Sequence, residues 1–293
     1  MNKITKTLLV SLITNTFLSI VKVLFGLIYK CSSLVADGIH SLSDLSTDVI
    51  AIFGNHLSLK PADKKHPFGH GKVEYVTSLM IGIIIIILGC GLIYNAFNKE
   101  YMIPNMIVII VSLFTIISKF ILSIYIYRKG IKYNNNILIA SGKESRADVY
   151  SSLFVLISII LMQFSNEINL FRYADLIATI IIAIFIIKTG YNILKENISI
   201  LLEEQITDKK YLKQIKQIIS SFEEIISIED LYILRYGPYY KLISNVIMQP
   251  GITLNAAHTV IDEVEHNIKE NDDKIKYVFI HMEPEEKSKI EYK

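Results

Sequence analysis

The chain has 293 residues, of which 52% are apolar and none is tryptophan, and its mean hydropathy is +0.42. That is far more apolar than a soluble domain of this size, so a membrane protein is expected. A formal net charge of +2 is close to neutral and by itself says little about nucleic acid or acidic partners; for a membrane protein, no nucleic-acid partner is expected. The two cysteines, Cys31 and Cys90, fall in separate segments, which leaves neither a disulfide framework nor a thiolate zinc site. Any metal chemistry falls to His, Asp and Glu.

A helix crosses a bilayer with about 20 apolar residues, and six such segments follow one another at 8–29, 33–58, 75–97, 104–127, 137–163 and 173–197. The first is preceded by Lys3 and Lys6 but has no A-x-A-like cleavage site and runs past the length of a signal core, so a retained span is expected. Spans three, four and six, with runs such as IGIIIIILGCGLI and IATIIIAIFII, are expected to be lipid-facing or packing helices with uncharged centres. Spans two and five are the exceptions, because they hold several carboxylates at membrane depth. Lys22, Asp48, Lys143 and Arg146 are read as snorkelling or charge-pairing residues. Basic residues cluster at the N-terminus, in the loop with Lys60, Lys64, Lys65 and Lys72, and in the loop with Arg128, Lys129 and Lys132, against Lys30, Lys99 and Arg172 on the other side. Both termini are therefore expected in the cytoplasm. Tyr29, Tyr75, Tyr94 and Tyr101 would supply an interfacial aromatic belt.

The chemistry concentrates in Ala36 to Lys72, ADGIHSLSDLSTDVIAIFGNHLSLKPADKKHPFGHGK. His40 and Asp44 stand four apart, so on a helix they share a face, and Glu144 and Asp148 repeat that spacing in span five. Four ligating side chains from two spans could thus meet around one ion. Ionisable groups inside spans usually face the bundle interior and mark a pathway. Three carboxylates and an imidazole cannot all stay deprotonated and metal-free in a low-dielectric interior, so the empty site should hold protons. A divalent ion needs the deprotonated ligands, and loading expels those protons. A second cluster, Asp63, His66 and His70, lies in a Pro/Gly-rich loop, while His56 reads as an interface residue.

After Leu202 charged residues become frequent and the apolar runs stop, which divides the chain into 1–202, a membrane domain, and 203–293, a soluble one. TDKKYLKQIKQIISSF is an amphipathic helix with Leu212, Ile215, Ile218 and Ile219 on one face. ISIEDLYILRY and KLISNVIMQ alternate as strands around Gly237 and Pro238, NAAHTVIDEVEHNIKE is helical, and KIKYVFIHMEP closes as a strand. The expected fold is an α-helical membrane protein of six transmembrane helices followed by a small C-terminal α+β domain of order αββαβ.

The pieces ADGIHSLSD and PADKKHPFGHGK, taken with the tail segments AAHTVIDEVEHNI and VFIHMEP, resemble the cation diffusion facilitator family of divalent-metal transporters over nearly the whole chain. The resemblance implies a transport site in the second and fifth spans and a cytoplasmic domain of metallochaperone-like fold that pairs across a homodimer. It places His258 and His281 at metal-binding positions of that domain and Glu283 where a further carboxylate ligand often stands, with Glu229 and Asn245 at other ligand positions. Many family members open the fifth-span pair with histidine or aspartate where this chain has Glu144. An added carboxylate hardens the site and brings Fe²⁺ and Mn²⁺ into range beside Zn²⁺, the first expectation.

The expected activity is export of a divalent transition-metal cation from the cytoplasm in exchange for protons, by a homodimer in the inner or plasma membrane. The metal is substrate and regulator, and no prosthetic group is expected. Lys72 and Glu203 are candidates for a charge contact between loop and tail. The rivals are a metal-selective channel, which needs a continuous polar path that two isolated pairs do not supply, and a metal-sensing membrane protein without antiport, which leaves the buried carboxylates unexplained. An intramembrane metallohydrolase is a third, but no HExxH-type motif is present, and no enzymatic activity is expected.

Overall fold

A computed structural model describes residues 3–58, 60–98, 102–133 and 136–285. Lys99, Tyr101 and the side chains of Lys3, Asp48 and His56 lie outside the described residues. The long helices come first: α1 (Lys3–Ile28), α2 (Ser32–Ser58), α3 (Val73–Asn98), α4 (Met106–Lys132), α5 (Asn136–Gln163) and α6 (Ala174–Leu201), with a 3₁₀ turn at Asn169–Tyr173. The tail then adds α7 (Lys209–Ile219), β1 (Ile225–Tyr236), β2 (Tyr239–Met248), α8 (Leu254–Asn271) and β3 (Ile275–Pro284). Contacts gather the chain into two compact units, residues 1–49 with 79–194 and residues 50–78 with 195–293. The second unit is not contiguous in sequence, because the segment around the α2–α3 loop packs with the tail.

Among the described residues, five helices are long and apolar enough to cross a membrane: α1, α3, α4, α5 and the segment through α6. The second expected span, α2, is a helix of 27 residues, but it is not one of the five. Asp37, His40, Asp44 and Asp48 all lie along it and lower its hydropathy. A helix with that load is stable at membrane depth only where protein, not lipid, surrounds its polar face.

In the first unit, α3 and α4 turn Ile83, Ile87, Ile110 and Ile117 outward, an apolar surface that suits lipid. Leu34, Val155, Ile159, Ile182 and Ile186 form its interior. The first turn of α2 is held by α6: the Asp175 carboxylate accepts from the backbone amides of Ser33 at 2.8 Å and Ser32 at 3.2 Å. A carboxylate at a helix start satisfies orphan donors and complements the dipole. Further along α2, Gly38 lets α1 pass close by, since a Cβ there would sit 2.7 Å from Val23 Cγ2 and 3.1 Å from Lys22 Cβ. Small residues at crossings allow such approach in membrane bundles. The interior also holds many buried hydroxyls. Ser19, Ser43, Thr115, Ser123, Ser158 and Thr179 each donate to a carbonyl three or four residues earlier on their own helix.

The tail has the expected order αββαβ. β2 is the middle strand, antiparallel to β1 and parallel to β3. Asp208 caps α7, accepting from the Lys210 and Tyr211 amides, and Thr253 caps α8, accepting from the Ala256 amide. Ile215 and Ile219 of α7 and Val260, Val264 and Ile268 of α8 pack with Ile233, Leu242 and Val246 of the sheet. The hydroxyl of Tyr211 donates to Asp272 at 2.5 Å, tying α7 to the end of α8. Burial, then that carboxylate, push its pKa up. The exit from α6 uses Glu203 in the left-handed region (φ 66°), with the amides of Glu203 and Glu204 returned to the carbonyls of Ile200 and Ser199.

Candidate metal centre

α2 and α5 bring His40, Asp44 and Asp148 together, with one donor atom from each lying within 4.8 Å of the others. His40 and Asp44 share a face of α2 as their spacing requires, with Nδ1 and Oδ1 3.9 Å apart. All three are partly buried, at 17%, 20% and 14% side-chain exposure. The His40 Nδ1 is buried and has no hydrogen-bond partner, a donor atom kept for something other than protein. Bonds near 2.0–2.2 Å to a tetrahedral ion put ligand atoms about 3.4 Å apart, so the group has to draw in by up to about 1.5 Å.

Glu144 does not join this group. Its side chain is exposed, one turn along α5 from Asp148. The spacing matches that of His40 and Asp44, so the exclusion of Glu144 comes from the way α5 is turned, with Asp148 toward α2 and Glu144 exposed.

A residue that the sequence did not single out contacts the group instead. Lys119, at the midpoint of α4 (Met106–Lys132), puts its Nζ 2.7 Å from Asp148 Oδ2 and donates to Ser41 Oγ at 3.2 Å. The expectation of an uncharged centre for the fourth span fails at this residue. A lone lysine inside the run LFTIISKFILSIYIY was the available signal.

One helical turn away lies a second charged layer. Lys22 of α1 reaches Asp37 Oδ2 at 2.8 Å and donates to Ser152 Oγ at 2.8 Å, and Ser152 donates to Asp37 Oδ1 at 3.1 Å. Lys22 and Asp37 are both 1% exposed. Charge pairing, not snorkelling, is therefore what Lys22 does. Arg146 instead lies over the ring of Tyr127, 5.3 Å from its centre, and Lys143 is exposed.

In the second unit Asp63, His66 and His70 form another group of the same kind. Asp63 Oδ1 accepts from the amides of His66 at 2.7 Å and Lys65 at 2.8 Å, a turn that sequence places after Pro61. The two carboxylate oxygens then face the imidazoles, with His66 Nδ1 at 3.2 Å and His70 Nε2 at 3.5 Å. The amides of His66 and then Lys65, followed by the His66 ring, hold the Asp63 carboxyl below the usual carboxylate range. His70 Nδ1 is buried without a hydrogen-bond partner. The loop is docked on the tail: the Tyr277 hydroxyl donates to the Phe68 carbonyl at 2.8 Å, and Phe68 packs edge-on against Tyr277 and Phe279. Lys72 and Glu203 meet at 3.3 Å, an exposed pair of small energetic weight. Gly237 (φ 61°) abuts Gly71 so closely that a Cβ on it would fall 2.5 Å from the Gly71 carbonyl oxygen. Replacing His66 and His70 together with alanine is expected to lower equilibrium binding of divalent metal by about one ion per chain, with the Asp148-dependent component still present. Equilibrium dialysis with metal analysis checks it.

The tail residues are placed apart. His281 Nε2 is 3.4 Å from Glu283 Oε1 on β3, and Asn245 of β2 stands opposite His281 in the sheet register. His258 pairs instead with Asp262, at 3.0 Å on the exposed side of α8, and His266 with Glu270 at 3.2 Å. Among the described residues, His258, His281 and Glu283 do not form a three-ligand group.

Comparison with known proteins gives matches over both units. A family model described as the cation efflux transmembrane domain covers residues 8–202, and one described as the cation efflux protein, cytoplasmic domain, covers 207–285. The chain is 30% identical over 286 residues to the manganese efflux system protein MneP of Bacillus subtilis (strain 168), covering 95% of each chain. It is 24% identical over 284 residues to the cadmium, cobalt and zinc/H(+)-K(+) antiporter of the same organism, covering 96% of this chain and 89% of that one. Among solved structures, one titled for the putative zinc transporter CzrB in its zinc form is 21% identical, with a TM-score of 0.26, and covers 30% of this chain and 99% of its own.

Proposed function

We propose, from the premise that this chain belongs to the cation diffusion facilitator family of cation efflux transporters and is not an enzyme, that it exports Mn²⁺ from the cytoplasm in exchange for protons through His40, Asp44 and Asp148. The observation that carries this reading is the half-buried meeting of one imidazole and two carboxylates from α2 and α5. A group with a single imidazole and two hard oxygen donors suits Mn²⁺ and Fe²⁺ better than a set with two imidazoles would. The manganese relative, similar over its whole length, supports the same choice over Zn²⁺.

Proton exchange follows from the ligands. The ion binds deprotonated imidazole and carboxylate, so each loading event releases protons and each unloading event takes them up. The group is largely buried, at 14–20% side-chain exposure, and sits on two helices of one unit, which favours alternating exposure over an open pore. The protein works as a homodimer paired through the tail, with both termini in the cytoplasm of a cell membrane. The exposed loop group and the histidines at 258 and 281, with Glu283, serve cytoplasmic metal sensing, which biases the dimer between arrangements. Glu144 completes the transport site only in a conformation that turns it inward.

Flux into proteoliposomes tests the reading. Mn²⁺ uptake should saturate, rise when the lumen starts more acidic than the bath, and alkalinise the lumen in step with the ion, since each ion that enters sends protons out. Metal flux indifferent to the gradient and without proton movement would sink the exchange, and Zn²⁺ transported in preference to Mn²⁺ would sink the cargo assignment.

A further inference from the structure

Resting on the reading that His40, Asp44 and Asp148 hold the transported ion, we infer that Lys119 is a tethered cation that covers Asp148 in the metal-free protein and is displaced from it when the ion loads. Its Nζ is 2.7 Å from Asp148 Oδ2, and its side chain is 4% exposed. Its other partner is Ser41 Oγ, 3.2 Å away on α2, the residue next to His40. The ammonium is therefore lodged between the two helices that carry the ligands, while itself coming from a third.

Lys22 and Lys119, both buried among the described residues, are held differently. Lys22, Asp37 and Ser152 close a triangle of contacts at 2.8, 2.8 and 3.1 Å, with both charges 1% exposed and neither in the ligand group. That pair is permanent. Lys119 instead holds a carboxylate that is 14% exposed and belongs to the group. An incoming ion and the ammonium compete for the same Asp148 oxygens.

A divalent ion on Asp148 would stand within a few ångströms of the ammonium in a medium of low dielectric, where like charges repel strongly. Lysine is a compact charge on a flexible four-carbon stem, so the ammonium withdraws while its stem stays packed. No covalent step is involved: one cation replaces another on one carboxylate. The emptied site then recovers its own counter-charge, since the ammonium returns to the Asp148 carboxylate. Lys119 thereby weakens binding of the ion and assists its release and the return of the empty carrier.

The test uses full-length protein in detergent, titrated with Mn²⁺ by calorimetry, and the same variants in proteoliposomes. The transport-site component is the part of binding lost in Asp148→Ala. Lys119→Gln keeps a donor for Ser41 without the charge, and should tighten that component by about tenfold or more while Mn²⁺ flux falls by about tenfold. Lys119→Arg keeps the charge and should stay within about threefold of wild-type affinity. A merely structural lysine would give the opposite sign, because its loss would loosen the site and weaken binding. Unchanged or weaker binding in Lys119→Gln, where Asp148→Ala removes a component, overturns the inference and leaves the transport site standing. Tighter binding without loss of flux also overturns it. Binding that Asp148→Ala leaves whole overturns the site itself, and the inference with it.

Discussion

Asp148→Ala is expected to reduce Mn²⁺ flux in proteoliposomes by at least about a hundredfold, since loss of groups that merely support a ligand already costs about 10–100-fold. Asp148 is the single member of the group contributed by α5, so without it the ion is held by α2 alone. An ion bound to one helix cannot report on the separation between two. The same change leaves the Lys119 ammonium, 2.7 Å from the lost carboxylate, with Ser41 as its remaining protein partner described at that site. Folding should be monitored alongside by gel filtration, and flux retained within a few-fold of wild type would remove Asp148 from the transport site.

The second large effect is on stability. Lys22→Met leaves the Asp37 carboxylate buried, at 1% exposure, with only the hydroxyl of Ser152. Breaking one side of such a pair costs about 3–5 kcal/mol, because an uncompensated charge remains in the interior. The expected result is poor recovery of folded protein and a lowered thermal midpoint in detergent. Lys22→Met combined with Asp37→Asn should recover most of that loss, since removing both charges removes the penalty. A double variant no better than the single one would mean that Lys22 acts through packing of its stem against α2, where Gly38 brings the two helices together.

The architecture was legible because membrane helices and αββαβ domains are written in composition and period. Segments 33–58 and 137–163, for example, became Ser32–Ser58 and Asn136–Gln163. The alternation in KLISNVIMQ yielded a strand with Leu242, Ser244 and Val246 turned inward. The pair His40 and Asp44 was legible for the same reason, being local. Spacing also suggested Glu144, and failed there, because sharing a helix face within 40° does not decide which of two carboxylates reaches across an interface. Lys119 was hidden by the opposite problem. Its partner lies 29 positions later on another helix, and no periodicity records which spans are neighbours. The contact of Lys72 with Glu203, 131 positions apart, and the aromatic docking of Phe68 on Tyr277 belong to the same class. They are the reason the 50–78 segment groups with the tail and not with the helices that flank it in sequence.

The hydroxyls of Ser19, Thr115, Ser123, Ser158 and Thr179 donate within their own helices. Groups satisfied in this way do not stitch one rod to the next, so neighbouring rods can slide without any of those bonds breaking. Among the described residues, bonds that do cross between helices include those at Asp175, at Lys22 and at Lys119. On the function proposed above, the last of these shares its carboxylate with the cargo, so friction in the bundle is lowest when the cargo arrives to loosen it.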